Sequence, residues 1–554
     1  MRKHNIFKVV LITLLVFMLL TWILPAASYQ GTFNSEGRIQ MGLFDLFNYP
    51  LVSLQYFGYI ALFILLVGGF YGILYKIPAY RNWLDRIVDA LQGNEKLFLI
   101  VMMVVIAVLT STCGVQLALF IFFPLLGAII LLLGYDKIVV ALTLVGSTMV
   151  GIIGTTSAFS NVSLLANNLA VELSKNMGTK VCLLVIGLVG LILTTLLYIK
   201  KNSVVGSSKV AAKRTPAVKK EQIKKVNNSA KKSSARKTTK SAPKKSGTKK
   251  STKKKSRNNN KALAMSKEVL VVKDVEDREV NYVPAPVEGK HTIWPLVVTF
   301  FITVIIFILA FIPWADAFGV DAFTKATEGV TGFKVFGFTL FGKLLGSVNA
   351  FGAWTINDLA LMLGFIVCFL ALVYKVKFDD VIDGFMDGFK KALVPAIMAI
   401  LIYTGLVIVT YHPFQLTIYK FILGWAKSFN IFTTTLTTLI ASVFNADPAY
   451  TFNALVPYFM GVVTKAGVYG KAWILFQSMY GIAMLFVPTS LILIMVLSFL
   501  KINYCRWFKV IWKLVLGLML VVLLIVAIWN NIFTYILTGV LAVLLIVLLI
   551  LKKI

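Results

Sequence analysis

The 554-residue chain is 58% hydrophobic with a mean hydropathy of +0.85 and only 14% charged residues, well above the ~45–50% apolar content of soluble domains. That excludes a soluble enzyme or binding domain of ordinary size, and the formal charge of +32 must be read by position because most of it lies in one stretch. Cys113, Cys182, Cys368 and Cys505 are scattered without CxxC spacing and read as packing residues, with neither a disulfide framework nor a metal site.

In chain order, Arg2, Lys3 and Lys8 flank an apolar run, Phe7–Leu24, that ends near Pro25-Ala26-Ala27-Ser28. The run is longer than the h-region of a signal peptide, which favours a retained first helix. Leu51–Tyr75 is the second span, and the basic stretch Lys76–Lys96 after it is amphipathic. An apolar hairpin over 97–134 is broken at Ser111-Thr112-Cys113-Gly114-Val115-Gln116, and a helix over 138–173 is interrupted at Gly154-Thr155-Thr156-Ser157. Val181–Ile199 closes a first half, 1–199.

Residues 200–261 hold 23 Lys and Arg against one acid, Glu221, within a Lys/Ser/Thr/Asn/Ala-rich segment that cannot bury enough surface to fold alone. The linker 200–290 is therefore expected to be a disordered cytoplasmic loop that enforces topology by its charge. Adhesion to anionic lipid headgroups is the functional alternative. Without interleaved aromatics, no specific nucleic-acid partner is expected, and Gly247-Thr248-Lys249-Lys250-Ser251 lacks the first glycine of a P-loop.

The second half, 291–531, opens with Trp294–Ile312. Asp379, Asp380, Asp383 and Asp387 read as a solvated interfacial helix, followed by an additional crossing, Ala392–Thr410, and by His412, whose expected role is structural. A hairpin over 431–463 is broken at Asn445-Ala446-Asp447-Pro448, and a helix over 471–500 is interrupted at Pro488-Thr489-Ser490. Ile511–Trp529 completes the half, and 532–554 is read as an extra C-terminal transmembrane helix.

Pro124, Gly134, Thr156 and Ser157 are answered by Pro457, Gly467, Thr489 and Ser490, each 333 residues later. Secondary transporters are built from such repeats, and the additional crossing inverts the second copy relative to the first. The short arms of the second hairpin favour re-entry; the longer arms of the first leave two ordinary spans open. Unwound backbone at membrane depth must be satisfied by protein, water or ligand, so the breaks are candidate sites. Their hydroxyls can cap the following half-helices, leaving N–H groups at Ser157–Asn161 for a carboxylate. Close packing by small residues is the plain alternative. Asp447, the acid within a hairpin, is a candidate cation or substrate-amine ligand or proton carrier, or else a turn residue. The candidate substrate-binding set is Gly114, Gln116, Thr155, Thr156, Ser157, Asn161, Asn445, Asp447, Thr489 and Ser490, with Asp447 as coupling-cation contact.

Leu133-Gly134-Tyr135-Asp136-Lys137-Ile138, Val487-Pro488-Thr489-Ser490 and Cys505-Arg506-Trp507-Phe508-Lys509-Val510, together with the order of elements, resemble the C4-dicarboxylate anaerobic carrier family, especially its YfcC-like members, within the ion transporter superfamily. The resemblance implies a bacterial inner-membrane carrier for a small carboxylate-bearing solute, a C4-dicarboxylate or an amino acid. YfcC-like members often carry acids at the first hairpin tip, where this chain has Gly114-Val115-Gln116. The expected fold is an all-α polytopic membrane protein of about ten spanning helices and two re-entrant hairpins in two inverted repeats. N-terminus, linker and C-terminus are placed in the cytoplasm, with sodium or a proton as coupling ion, no bound cofactor, and a homodimer compatible with the pattern. A lipid-modifying enzyme would need clustered carboxylates, His pairs or a metal site, which the apolar segments do not offer. A membrane tether acting through the linker is the third reading.

Overall fold

The computed structural model describes residues 5–158, 165–172, 176–202, 283–284, 291–346, 349–426, 428–445, 447–464 and 466–528. Almost all of the predicted linker, the extra helix at 532–554 and the candidate Asn161 lie outside these residues. Residues 202–279 separate as a unit from the rest of the chain.

The protein is an all-α, polytopic membrane protein, and eight of its described helices are long and apolar enough to cross a bilayer. In the first half these are α1 (Asn5–Ile23), α2 (Asp45–Lys76), α4 (Glu95–Cys113) and α7 (Met177–Asn202). Between them lie the amphipathic α3 (Pro78–Ala90), α5 (Phe123–Leu132) and α6 (Lys137–Ile153), the last with a π-helical stretch at Leu142–Gly146. The second half holds α8 (Trp294–Phe311), α9 (Ile356–Val373), α10 (Phe378–Tyr411), α11 (Gln415–Leu423), α12 (Ile431–Phe444), α13 (Pro448–Val462), α14 (Tyr469–Met484), α15 (Leu491–Phe499) and α16 (Tyr504–Ile528). A two-stranded antiparallel ribbon, β1 (Ala26–Tyr29) with β2 (Phe33–Gly37), follows α1.

The first helix belongs to the fold. It buries Ile6, Val10, Leu14, Phe17 and Thr21 at helical spacing, and Phe17 meets Phe444 with ring centroids 5.2 Å apart. The acidic segment differs from expectation: Asp379 to Asp387 form the first turns of α10, one 34-residue helix that runs on through the crossing. Pro395, near the start of the crossing, is accommodated inside the helix, and the first-turn acids Asp379 and Asp380 suit the positive end of the helix dipole.

The tightest packing is between α2 and α10. Gly68-x-x-x-Gly72 on one faces Gly384-x-x-x-Gly388 on the other, a small-residue pattern that lets membrane helices approach backbone to backbone. A Cβ on Gly72 would lie 2.0 Å from the Gly384 carbonyl oxygen, and one on Gly388 would lie 2.1 Å from that of Gly68. Gly388→Leu is therefore expected to force these helices apart, costing several kcal/mol by overpacking against unyielding backbone; a sharp fall in monodisperse protein on size-exclusion chromatography is the readout.

His412, buried at the C-terminus of α10, has Nδ1 2.7 Å from the Ile39 carbonyl and Nε2 2.7 Å from the Tyr49 hydroxyl. The carbonyl can only accept, so Nδ1 carries the proton and Tyr49 donates to Nε2. This tie to the loop before α2 is the structural role expected of it. Arg506 of α16 pairs with Asp136 before α6 at 2.7 Å, and Tyr198 of α7 donates to the same carboxylate at 2.9 Å. The triad joins elements of both halves, although exposure of the arginine limits its energetic worth.

Candidate functional site

Each half places a helix break against the first arm of its hairpin, for a shared reason. The last carbonyls of a helix have no partner within it, and inside a membrane they need donors from elsewhere. The helix α4 ends at Gly114, whose positive φ of 71° caps it in the left-handed region. Ser111, on its last turn, accepts at its carbonyl from the backbone N–H of Thr156 (3.0 Å) and of Ala158 (3.2 Å). The Thr156 hydroxyl also reaches that oxygen, at 3.3 Å, while the Ser111 hydroxyl donates to the Gly154 carbonyl at 2.7 Å and Ser157 donates to the Thr112 carbonyl at 3.2 Å. In the second half, the Thr489 hydroxyl donates to the Val443 carbonyl, on the last turn of α12, at 2.8 Å. Thr156 and Thr489, 333 residues apart, thus make the same kind of contact.

At the second break the expected capping is not made: Ser490, although the N-cap of α15, forms no side-chain capping bond. The start expected for the half-helix after the first break lies in 159–164, outside the described residues. Thr155 donates backward to the carbonyls of Gly151 and Ile152, and Thr156, Ser157 and Thr489 donate across to the hairpins. The N–H groups of Thr156 and Ala158 are engaged by Ser111. The buried Ser490 hydroxyl has no partner among the described residues.

The carbonyls freed by each break are met by side chains from another helix. Gln477 of α14 donates through Nε2 to the Thr155 carbonyl at 3.0 Å and the Ile153 carbonyl at 3.2 Å, and its Oε1 accepts from the Trp473 indole at 3.1 Å. Lys180 of α7, fully buried, places Nζ 3.9 Å from the centroid of that indole ring, a cation–π contact of about 2 kcal/mol when desolvated. In the second break, Trp507 donates to the Leu485 carbonyl at 2.8 Å and Tyr504 donates to that of Phe486. Tyr504 and Trp507 start α16 and flank the Arg506 of the triad. The sequence reading missed Gln477 and Lys180; the one available signal was a polar group within a mostly apolar run of α14 and of α7.

A small cavity of about 10 Å³ lies where the halves meet, lined by Ile152, Thr155, Pro448, Phe452, Gln477 and Tyr480 among others. The closeness of α6 to α14 depends on Gly481, where a Cβ would lie 2.9 Å from the Ile153 nitrogen. Asp447 precedes Pro448 and caps α13, with Oδ1 accepting from the Ala449 N–H at 2.7 Å. Phe57 of α2 stacks on Tyr403 of α10 with ring centroids 4.2 Å apart. Asn445, the C-cap of α12, is buried beside Asp447 in sequence. Asn168, beyond the first break, donates to Asn453 of α13 at 3.0 Å, another amide pair that the sequence reading did not single out. Gly114 and Gln116 form the tip beyond Ser111 and are not part of the cavity lining.

Of the candidate residues, the structure brings Thr155, Thr156 and Ser157 together with the first hairpin, and Asn445, Asp447 and Thr489 together around the second. A polytopic helical protein whose helices break in its interior, with the freed backbone satisfied by neighbouring helices around a cavity, has the build of a membrane transporter. Residues 4–242, less than half of the chain, match the model of DcuC, the C4-dicarboxylate anaerobic carrier family. A Haemophilus influenzae protein described only as uncharacterized is 27% identical over 143 residues, 26% of this chain. That match spans 28% of the relative's length. The crystal structure of the Alcanivorax borkumensis YdaH transporter aligns over 95% of this chain and 98% of its own at 12% identity, with a TM-score of 0.35, a likeness from which nothing is transferred.

Proposed function

We propose that the chain is a secondary active transporter of a small carboxylate-bearing solute, a C4-dicarboxylate or an amino acid, working by alternating access in a bacterial inner membrane. The observation that carries this reading is the recurrence, in both halves, of a threonine hydroxyl at a helix break donating to a terminal carbonyl of the preceding hairpin arm. In this reading the halves are inverted repeats and the second hairpin is re-entrant: its arms of 14 and 15 residues reach only about 21–23 Å at 1.5 Å per residue, short of the ~30 Å hydrocarbon core. Solute binds between the hairpin tips and the breaks, with its carboxylate taken by hydroxyls and N–H groups released when a hairpin moves. Asp447 carries the coupling cation, sodium or a proton, or meets a substrate amine. N-terminus, linker and C-terminus are cytoplasmic.

Uptake into proteoliposomes tests the assignment, with C4-dicarboxylates and amino acids offered in turn. The Thr156→Val, Thr489→Val double variant is expected to cut uptake at least about tenfold, because an orphaned buried polar group costs ~1–3 kcal/mol. Thr489→Val should account for most of the loss, since Ser111 keeps its two backbone donors when the Thr156 hydroxyl is removed. Wild-type uptake by the double variant would sink the site assignment.

A further inference from the structure

The segment between α8 and α9 turns apolar side chains outward beyond the ends of those spans. Its helix Ala322–Gly332 buries none of its residues, although Ala322, Ala326 and Val330 recur at the four-residue spacing that aligns one face, with Glu328 opposite. Two strands, β3 (Lys334–Val335) and β4 (Phe338–Thr339), then pair antiparallel around a two-residue turn at Phe336 and Gly337. Phe336 is 97% exposed, Phe338 64% and Val330 48%. Phe336 has a φ of 51° and Gly337 of 84°, the left-handed pair of a type I′ turn, whose first place favours asparagine, aspartate or glycine. A phenylalanine there strains the backbone, and its ring touches almost no protein.

An apolar medium is what would stabilise such a ring, and the surroundings identify that medium as the bilayer. The segment starts and ends where the spans leave the hydrocarbon. Trp314 follows α8 and donates to the Leu309 carbonyl at 2.8 Å, Trp354 precedes α9 and donates to that of Asn349 at 3.0 Å, and the Gly352 N–H donates to the Ala310 carbonyl of α8 at 3.0 Å. Phe323 and Phe351 bridge the two indoles, with centroids 5.4, 6.0 and 5.4 Å apart in turn. Tryptophans at the ends of spans belong to the interfacial belt. The helix leaves this cluster at Phe323, and its 11 residues cover about 16 Å at 1.5 Å per residue, so the hairpin begins no farther than that from the belt. Only 28% of the apolar stretch of α8 and of α9 is buried within the protein, so both stand against lipid, and membrane surface lies beside their ends. Residues 329–345 hold Lys334 and Lys343 and no acid, and Lys343 places Nζ 5.2 Å from the Phe338 centroid. An apolar ring with an ammonium beside it suits an anionic headgroup layer. A second copy of the chain would need roughly 800 Å² from each partner, which a protruding two-residue turn does not offer.

We propose that the hairpin 334–339 is a membrane-surface wedge: Phe336 and Phe338 insert into the leaflet at which α8 ends, and Lys334 and Lys343 lie at its phosphates. The wedge is independent of the solute site and of what the protein carries.

The full chain is produced with the photoreactive p-benzoylphenylalanine in place of Phe336, of Phe338 or, on the polar face of the helix, of Glu328. Each form is reconstituted into phosphatidylethanolamine and phosphatidylglycerol vesicles and irradiated, and adducts are mapped by peptide mass spectrometry. Phospholipid adducts are expected at 336 and 338 in a yield at least about tenfold above that at 328, since burial of a phenylalanine ring shifts its equilibrium by about that factor. Phe336→Asn suits the turn and keeps the hairpin, and it should lower the yield at 338 at least about threefold by removing the tip ring from the interface. Equal yields at all three positions, or adducts at none, would overturn the proposal. So would crosslinks between two copies of the chain in place of lipid adducts, which would make the hairpin a contact between protomers.

Discussion

Gln477→Leu is expected to reduce uptake by at least about thirtyfold while the protein still folds. The side chain is 4% exposed and joins three groups: the carbonyls of Ile153 and Thr155 and the Trp473 indole. Leucine keeps the volume and removes the amide, so the Thr155 carbonyl loses its donor from α14, while Ser478 still reaches the Ile153 carbonyl at 3.4 Å. Each buried group left unpaired costs ~1–3 kcal/mol, and 1.4 kcal/mol is a factor of ten. The penalty falls on the geometry of Thr155 and Thr156, on which the proposed site depends, while the apolar faces of α14 stay packed. Gln477→Glu separates donor from acceptor: it still accepts from Trp473, but it turns a carboxylate toward two carbonyls. It should be worse than leucine for uptake. Uptake is measured in proteoliposomes beside the thermal midpoint of each variant, and unimpaired uptake by the leucine variant would remove Gln477 from the site.

The second large effect is expected at Asp447, where two roles are superimposed and two substitutions separate them. As N-cap of α13 the residue accepts from the Ala449 N–H, a task asparagine performs about as well as aspartate. As the acid at the tip of the second hairpin, in the coupling role proposed for it, it has no neutral substitute. Asp447→Asn should therefore leave stability within about 0.5 kcal/mol, by the near-equality of the two residues as caps, yet lower uptake tenfold or more and abolish its response to sodium or to a proton gradient. Asp447→Ala should lose the coupling and also ~1 kcal/mol of helix stability. A Asp447→Asn variant with normal, ion-stimulated uptake would make the residue a cap and nothing else.

The candidate site was legible in the sequence only in part. Thr156 and Thr489 stood out because they recur at one spacing, and Asp447 because a charge within an apolar hairpin is conspicuous. Gln477 and Lys180 did not, since a polar residue in a mostly apolar helix does not show which helix it faces. The cap expected from Ser490 is not made, and the sequence did not show that Thr156 and Thr489 donate to carbonyls at the ends of α4 and α12, since those partners lie 45 and 46 residues away. The solvated interfacial helix expected at Asp379–Asp387 proved to be the start of α10, because charge pattern marks a change of environment and not an end of hydrogen bonding.

Composition and hydrophobic run length alone determined that this is a polytopic helical membrane protein, because in hydrocarbon the backbone has few ways to satisfy itself. The sequence also contained both Gly-x-x-x-Gly patterns of the α2–α10 contact. Only the tertiary structure decided that these two helices pair, that α14 reaches across to hold the first break, and that Trp507 and Tyr504 hold the second. Such pairings join residues hundreds of positions apart, as Gln477 and Thr155 are. In a membrane, where every helix offers its neighbours a similar apolar face, they are selected by close packing and by the demand of each freed carbonyl for a donor.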